Sequence, residues 1–199
     1  MLRHLILSSL ENYAQLQKIP LMVSLKDFTD AQNDLMEFCY QEFCAITPVE
    51  KDQFNDLVCR GMIFFLFDAY DEIKNRFVKR FDSQLEKLIS NFPDNKYIQT
   101  SRPVSSLMHL NEFTVYHLCP LTREKVINLV KRLQDLSDDF VMKESLLEKF
   151  QNGQPFSSQE DFIGNPLLLT ILLVSYKHFS EIPSTMSRIY QNTYDALSW

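Results

Sequence analysis

Three carboxylates, Asp68, Asp71 and Glu72, fall within five positions, directly after the apolar run Met62–Phe67 in the stretch GMIFFLFDAYDEI. An apolar run of this length bounded by turn residues reads as a strand buried on both faces. In open parallel sheets ligands bind beyond the carboxyl ends of the strands, so a strand ending in Asp68 delivers a carboxylate to that edge. Such an oxygen ligand can hold Mg²⁺, which keeps part of its water shell. Asp71 or Glu72, just beyond, could orient or deprotonate an attacking water. The plainer reading of the same stretch is a core strand followed by a solvated acidic turn.

A second stretch, YIQTSRP (Tyr97–Pro103), ends a strand in Thr100, Ser101 and Arg102. At the same sheet edge Arg102 could sense or stabilise phosphate charge. Pro103 biases Arg102 toward extended backbone. A third, IGNPLLLTILL (Ile163–Leu173), offers Asn165 as a cap, Pro166 as the first helical residue and Gly164 for close backbone approach. Each also fits an ordinary strand end or helix start.

The elements that must position these residues alternate between helix and strand. Leu2, Leu5, Ile6, Leu10 and Tyr13 mark one face of an opening helix, and IPLMVSL (Ile19–Leu25) reads as a strand. Leu35, Phe38, Cys39 and Phe43 have helical spacing. Thr47, Pro48 and Glu50 form a capping-box start for a helix that Gly61 stops. Phe77, Phe81, Leu85, Leu88, Ile89 and Phe92 mark a long amphipathic helix ending at Pro93-Asp94-Asn95. KYIQT (Lys96–Thr100) and FTVYHL (Phe113–Leu118) read as further strands. The expected class is α/β, a parallel sheet with helices on both faces. From Leu121 onward the pattern is helical only, with helices from Thr122, over Asp139–Gln151, over Pro166–Phe179 and from Thr185. The expected organisation is an α/β domain over residues 1–120 and a small helical bundle over 121–199.

Composition narrows the function classes. The chain of 199 residues is 45% hydrophobic and 23% charged, with net charge −6. An acidic balance argues against a dedicated nucleic-acid surface. Lys79 and Arg80, with Lys74, Arg76 and Lys87 nearby, read as a solvated helix face. Cys39, Cys44, Cys59 and Cys119 form no C-x-x-C pair and have no histidine at ligand spacing. They read as small buried hydrophobes of a reducing compartment. His4 falls on the polar flank of the first helix, and His117 reads as packed in a strand. PLLLTILLV is too short to span a bilayer, so neither membrane nor nucleic acid is an expected partner.

The order of the three stretches carries a resemblance. DAYDE, then TSRP, then GNP resembles the NACHT family of STAND P-loop NTPases, over essentially the whole chain. PLTREKVINLVKRL and IPSTMSRIYQNTYDAL are similar to that family's helical segments. The resemblance implies Asp68 as the magnesium carboxylate of an extended Walker B motif, with Asp71 and Glu72 as the acidic pair near the water. It implies Thr100, Ser101 and Arg102 as sensor 1, with Arg102 near the γ-phosphate, and Pro166 against the adenine. The implied cofactors are ATP or ADP with Mg²⁺. The implied activity is an ATPase switch, closed with ADP and open and homo-oligomeric with ATP, in a cytoplasmic innate-immune or antiphage-defence protein.

One departure is large. The sequence contains Gly61, Gly153 and Gly164 as its only glycines and no G-x-x-x-x-G-K-[ST]. Without that loop no backbone cradle and no lysine meet the phosphates. MLRHLILSSLENY is similar to the helix that follows the P-loop in the family, so the chain is expected to begin just after that motif. In this branch of folds the preceding strand lies between the sensor strand and the last strand. The expectation is therefore an unpaired edge on KYIQT and weak or absent nucleotide binding by the 199 residues alone. Two rival readings are a non-catalytic NACHT-like scaffold and, ranked last, a metal-dependent nuclease using Asp68, Asp71 and Glu72.

Overall fold

The computed structural model describes residues 2–28, 34–103, 113–134, 147–150, 152, 163–179, 183 and 185–197. The chain divides into two compact units, Met1–Val115 and Tyr116–Trp199.

The first unit is mixed α/β. Three parallel strands, β1 (Ile19–Ser24), β2 (Ile63–Asp68) and β3 (Lys96–Gln99), lie side by side in the order β1-β2-β3. Parallel neighbours need long crossovers. Helices α3 (Leu35–Ile46) and α4 (Lys51–Cys59) connect β1 to β2, and α5 (Asn75–Asn91) connects β2 to β3. Ahead of the sheet, α1 (Leu2–Glu11) and the single turn α2 (Tyr13–Leu16) lead into β1, and α1 packs against that strand.

Alternation along β2 explains the packing. Ile63, Phe65 and Phe67 enter the main core with Phe54 and Val58 of α4 and Phe77, Phe81, Leu85 and Leu88 of α5. Leu66, one step out of phase, is fully buried outside that cluster. Phe65 stacks on Phe67 at 5.9 Å and on Tyr97 at 5.2 Å, and Phe81 meets Phe67 edge-on at 5.8 Å. Each of these fully buried phenylalanines contributes roughly 1.5–3 kcal/mol from area alone.

Several local expectations are corrected. Helix α4 starts at Lys51, not near Thr47. The Glu50 N–H donates to Gln53 Oε1 at 3.0 Å, while Val49 O accepts from the Tyr40 hydroxyl at 3.1 Å, which holds the segment before the helix out of it. On the opening helix Leu2 is buried, but Leu10 and Tyr13 are exposed. Asn12 interrupts the helix and Gln17 turns left-handed (φ 49°). Cys39 is buried, Cys44 half-buried, and Cys59 and Cys119 exposed. Arg80 lies over the rings of Phe28 and Phe77, so this part of the basic cluster covers aromatic surface as well as facing solvent.

The largest correction concerns FTVYHL. Residues 113–118 are not a strand; Val115, Tyr116 and Leu118 are exposed, and so is His117. A strand needs a partner for its backbone groups. Among the described residues β3 pairs with β2 alone, so no strand lies beyond β3 to receive this segment.

The second unit is helical. Its described helices are α6 (Arg123–Gln134), α7 (Pro166–Phe179) and α8 (Met186–Leu197), around Val126, Val130, Phe150, Leu169, Leu172 and Ile189. Thr122 Oγ1 accepts the Lys125 N–H at 3.4 Å, as a capping residue should. Thr193 Oγ1 lies 2.8 Å from Ile189 O and 3.2 Å from Ile171 O, tying α8 to α7. Of the expected helix over Asp139–Gln151, residues 147–150 are helical and the rest lie outside the described residues, as does His109. Among the described residues no helix is long and apolar enough to cross a membrane.

Candidate functional site

Strands β2 and β3 are parallel and adjacent, so their carboxyl ends bring two segments about thirty residues apart to one edge. Asp68 is the last residue of β2. Thr100 follows β3 and continues the pairing: its N–H donates to Phe67 O and its C=O accepts from Tyr70 N–H, both at 2.9 Å. The Thr100 hydroxyl donates to Asp68 Oδ1 at 2.6 Å and accepts the Ala69 N–H at 3.2 Å. Among the described residues, the other oxygen of Asp68 makes no hydrogen bond within the protein.

The chain then turns sharply. Ala69 adopts left-handed backbone (φ 61°), an uncommon state for a non-glycine residue, and a short 3₁₀ turn spans Tyr70–Glu72. Tyr70 points inward, buried, and its hydroxyl donates to Asp82 of α5 at 3.0 Å. Burial pushes the Asp82 carboxyl above its usual range, and the Tyr70 hydrogen bond partly opposes that. With Tyr70 anchored, Asp71 faces the segment after β3.

There Asp71 Oδ1 accepts the Arg102 main-chain N–H at 2.8 Å, while the Ser101 hydroxyl, 3.4 Å from the same oxygen, donates to Arg102 O at 2.6 Å. Asp71 Oδ2 accepts from Arg102 Nε. Glu72 stands apart, with its carboxylate 3.9 Å from Arg102 Nη2. The side chain of Asp71 is 8% exposed, that of Glu72 42% and that of Arg102 76%. Asp71 is therefore shielded by Arg102 lying over it rather than by depth in the fold. The Arg102 main-chain N–H, then its guanidinium, hold Asp71 below the usual carboxylate range against a penalty for burial. The same contact raises the affinity of Arg102 for its proton, through the side-chain hydrogen bond first.

The sequence-derived residues thus meet in two pairs, Asp68 with Thr100 and Asp71 with Arg102, with Ser101 and Glu72 alongside the second. One neighbour was missed. Ser24 ends β1 in register with Asp68, at the same sheet edge. Its signal was present, since the apolar run IPLMV is followed at once by the hydroxyl of Ser24. The left-handed Ala69 had no signal, because alanine is not a turn residue by type.

Pro166 belongs to the second unit. It opens α7, and Asn165 Oδ1 caps the helix, accepting Leu167 N–H at 3.0 Å and Leu168 N–H at 3.4 Å. Gly164 O accepts the Leu121 N–H at 2.7 Å, joining this turn to the segment before α6.

Among the described residues no three His, Cys, Asp or Glu side chains converge as a metal cage. A single carboxylate with a spare oxygen fits Mg²⁺, which commonly takes one or two protein carboxylates and completes its shell with water and phosphate oxygens. It does not fit a structural zinc, which needs four protein ligands. No family model matches the chain, and no curated protein matches it in sequence.

Proposed function

We propose that this chain carries the core of a NACHT-type NTPase, with a magnesium-nucleotide site at the carboxyl edge of β2 and β3. In the whole protein it would act as an ATP/ADP-dependent signalling switch that assembles into homo-oligomers with ATP. The observation that supports the reading is the meeting of Asp68 with Thr100, and of Asp71 and Glu72 with Arg102, at one edge of a parallel sheet. Parallel neighbouring strands carrying a carboxylate and an arginine at this edge are what phosphoryl chemistry uses, because it rests on positioning and charge.

In this reading Asp68 holds Mg²⁺ with the oxygen that Thr100 leaves open, and the ion supplies charge neutralisation at the phosphates. Thr100 fixes the rotamer of Asp68. Arg102 stabilises charge on the transferred phosphate, and an acidic residue of the 3₁₀ turn orients the water.

The 199 residues hold no glycine-rich phosphate loop, so the test is made on the product of the whole reading frame and on the chain by itself. Mg-ATP and Mg-ADP binding are measured by equilibrium dialysis. The whole product binds, Asp68→Ala abolishes binding, and the chain by itself binds weakly or not at all. Binding that survives Asp68→Ala unchanged would sink the magnesium role. A whole product that ignores nucleotide leaves the non-catalytic scaffold as the better reading.

A further inference from the structure

The sequence leaves Asp71 and Glu72 interchangeable as the residue near the water, and the structure separates them. We propose that Asp71 is a positioning residue that latches Arg102, leaving Glu72 as the carboxylate that handles water; this rests on the nucleotide reading above. Both oxygens of Asp71 are engaged by Arg102, Oδ1 by its main-chain N–H and Oδ2 by its Nε. A carboxylate held on both oxygens by an arginine, with its side chain 8% exposed, is screened from water and has little tendency to take a proton. Among the described residues Glu72 carries only the longer ion pair to Arg102 Nη2. It is 42% exposed, and its nearest cation is 3.9 Å away.

The latch also has a built geometry. Binding the main-chain N–H fixes where the Arg102 backbone leaves β3, while binding Nε fixes the guanidinium of a side chain that is 76% exposed. An arginine held through Nε presents a preset fork to a phosphate instead of searching for it. The left-handed Ala69 and the Tyr70–Asp82 anchor aim Asp71 at this task. Glu72, following Asp71 in the same 3₁₀ turn, falls beside the guanidinium rather than beneath it.

The test joins a spectroscopic readout to kinetics. In the 199-residue chain labelled with ¹⁵N-arginine, the Nε–H resonance that is missing from Arg102→Lys is protected from exchange and loses protection in Asp71→Asn, while that of Arg60, bonded to Asp56, stays as it was. Asparagine still accepts the main-chain N–H, so the variant keeps the fold, checked by its thermal melt. In the whole reading-frame product, Glu72→Gln lowers turnover by about 10²–10⁴-fold with nucleotide affinity retained. Asp71→Asn lowers it by about 10–100-fold, and adds nothing further in an Arg102→Lys background. Losses that add in full across the two sites, or an Arg102 Nε–H unchanged in Asp71→Asn, overturn the assignment. So does Asp71→Asn abolishing turnover as fully as Glu72→Gln. Absence of nucleotide binding by the wild-type product removes the parent reading and this assignment together; binding with additive losses removes this assignment alone.

Discussion

The amino and carboxyl ends of the three-stranded sheet are tied by different chemistry. At the amino end, the residues just before each strand close on one another. Asn95, buried, donates to Val58 O at 2.9 Å and Phe92 O at 3.2 Å and accepts the Ile63 N–H at 2.9 Å. Lys18 Nζ donates to Asp94 O at 2.7 Å and to Gly61 O. Gly61 is left-handed (φ 66°), and a Cβ there would lie 2.5 Å from Asp94 Cβ. These groups are spent on holding the strands together. At the carboxyl end β1 and β2 finish in Ser24 and Asp68, Thr100 follows β3, and bonding capacity is left over. Asp68 keeps a spare oxygen, Glu72 is half-exposed and Arg102 lies open. A carboxylate at a strand end is therefore not itself the mark of a site. The mark is charge placed where it is held but not saturated.

Mutations at the two ends should separate stability from binding. The largest stability loss is expected for Asn95→Ala, which strands the Ile63 N–H and two carbonyls in the interior. About 2–4 kcal/mol is expected by urea denaturation, with nucleotide binding unchanged once folded. Gly61→Ala follows, at about 1–3 kcal/mol, since it combines unfavourable φ with overlap at Asp94. Thr100→Val is expected to cost about 1 kcal/mol at the other end, by removing the acceptor for Ala69 N–H, and also to weaken Mg²⁺ dependence by freeing Asp68. A Thr100→Val variant as unstable as Asn95→Ala, with Mg²⁺ dependence intact, would erase the distinction.

The smallest effect is in pH. The Asp71 pKa is lowered in the folded chain, so its contribution is present above the unfolded value, roughly 4, and fades as pH falls through the lower folded value. Asp71→Asn should therefore narrow the stability difference between neutral and acid pH, measured by urea midpoints at several pH values. A variant with the wild-type acid profile would mean the Asp71–Arg102 pair does not persist in solution.

Local patterning made most of the first unit legible. The apolar run Met62–Phe67 and the phenylalanine spacing of α5 predict elements that the structure contains with small shifts at their ends. Asn165 and Pro166 predict a helix start that the structure realises. FTVYHL failed because β propensity measures fit to a neighbouring strand, and among the described residues that neighbour is absent. Thr47 failed as a cap because Val49 is held by Tyr40, a contact no local pattern reports.

Residue type and order by themselves fixed which groups stand at the ends of β2 and β3: Asp68, Asp71, Glu72, Thr100, Ser101 and Arg102. Hydrophobic periodicity is a local property, and it sets where a strand stops. Which carboxylate meets which partner was decided by strand adjacency and by the left-handed turn at Ala69. Those depend on the parallel register Phe67↔Gln99 and on Tyr70 being buried against α5. Asp71 and Glu72 are neighbours of the same charge in sequence. Only packing turned one toward Arg102 and left the other facing water.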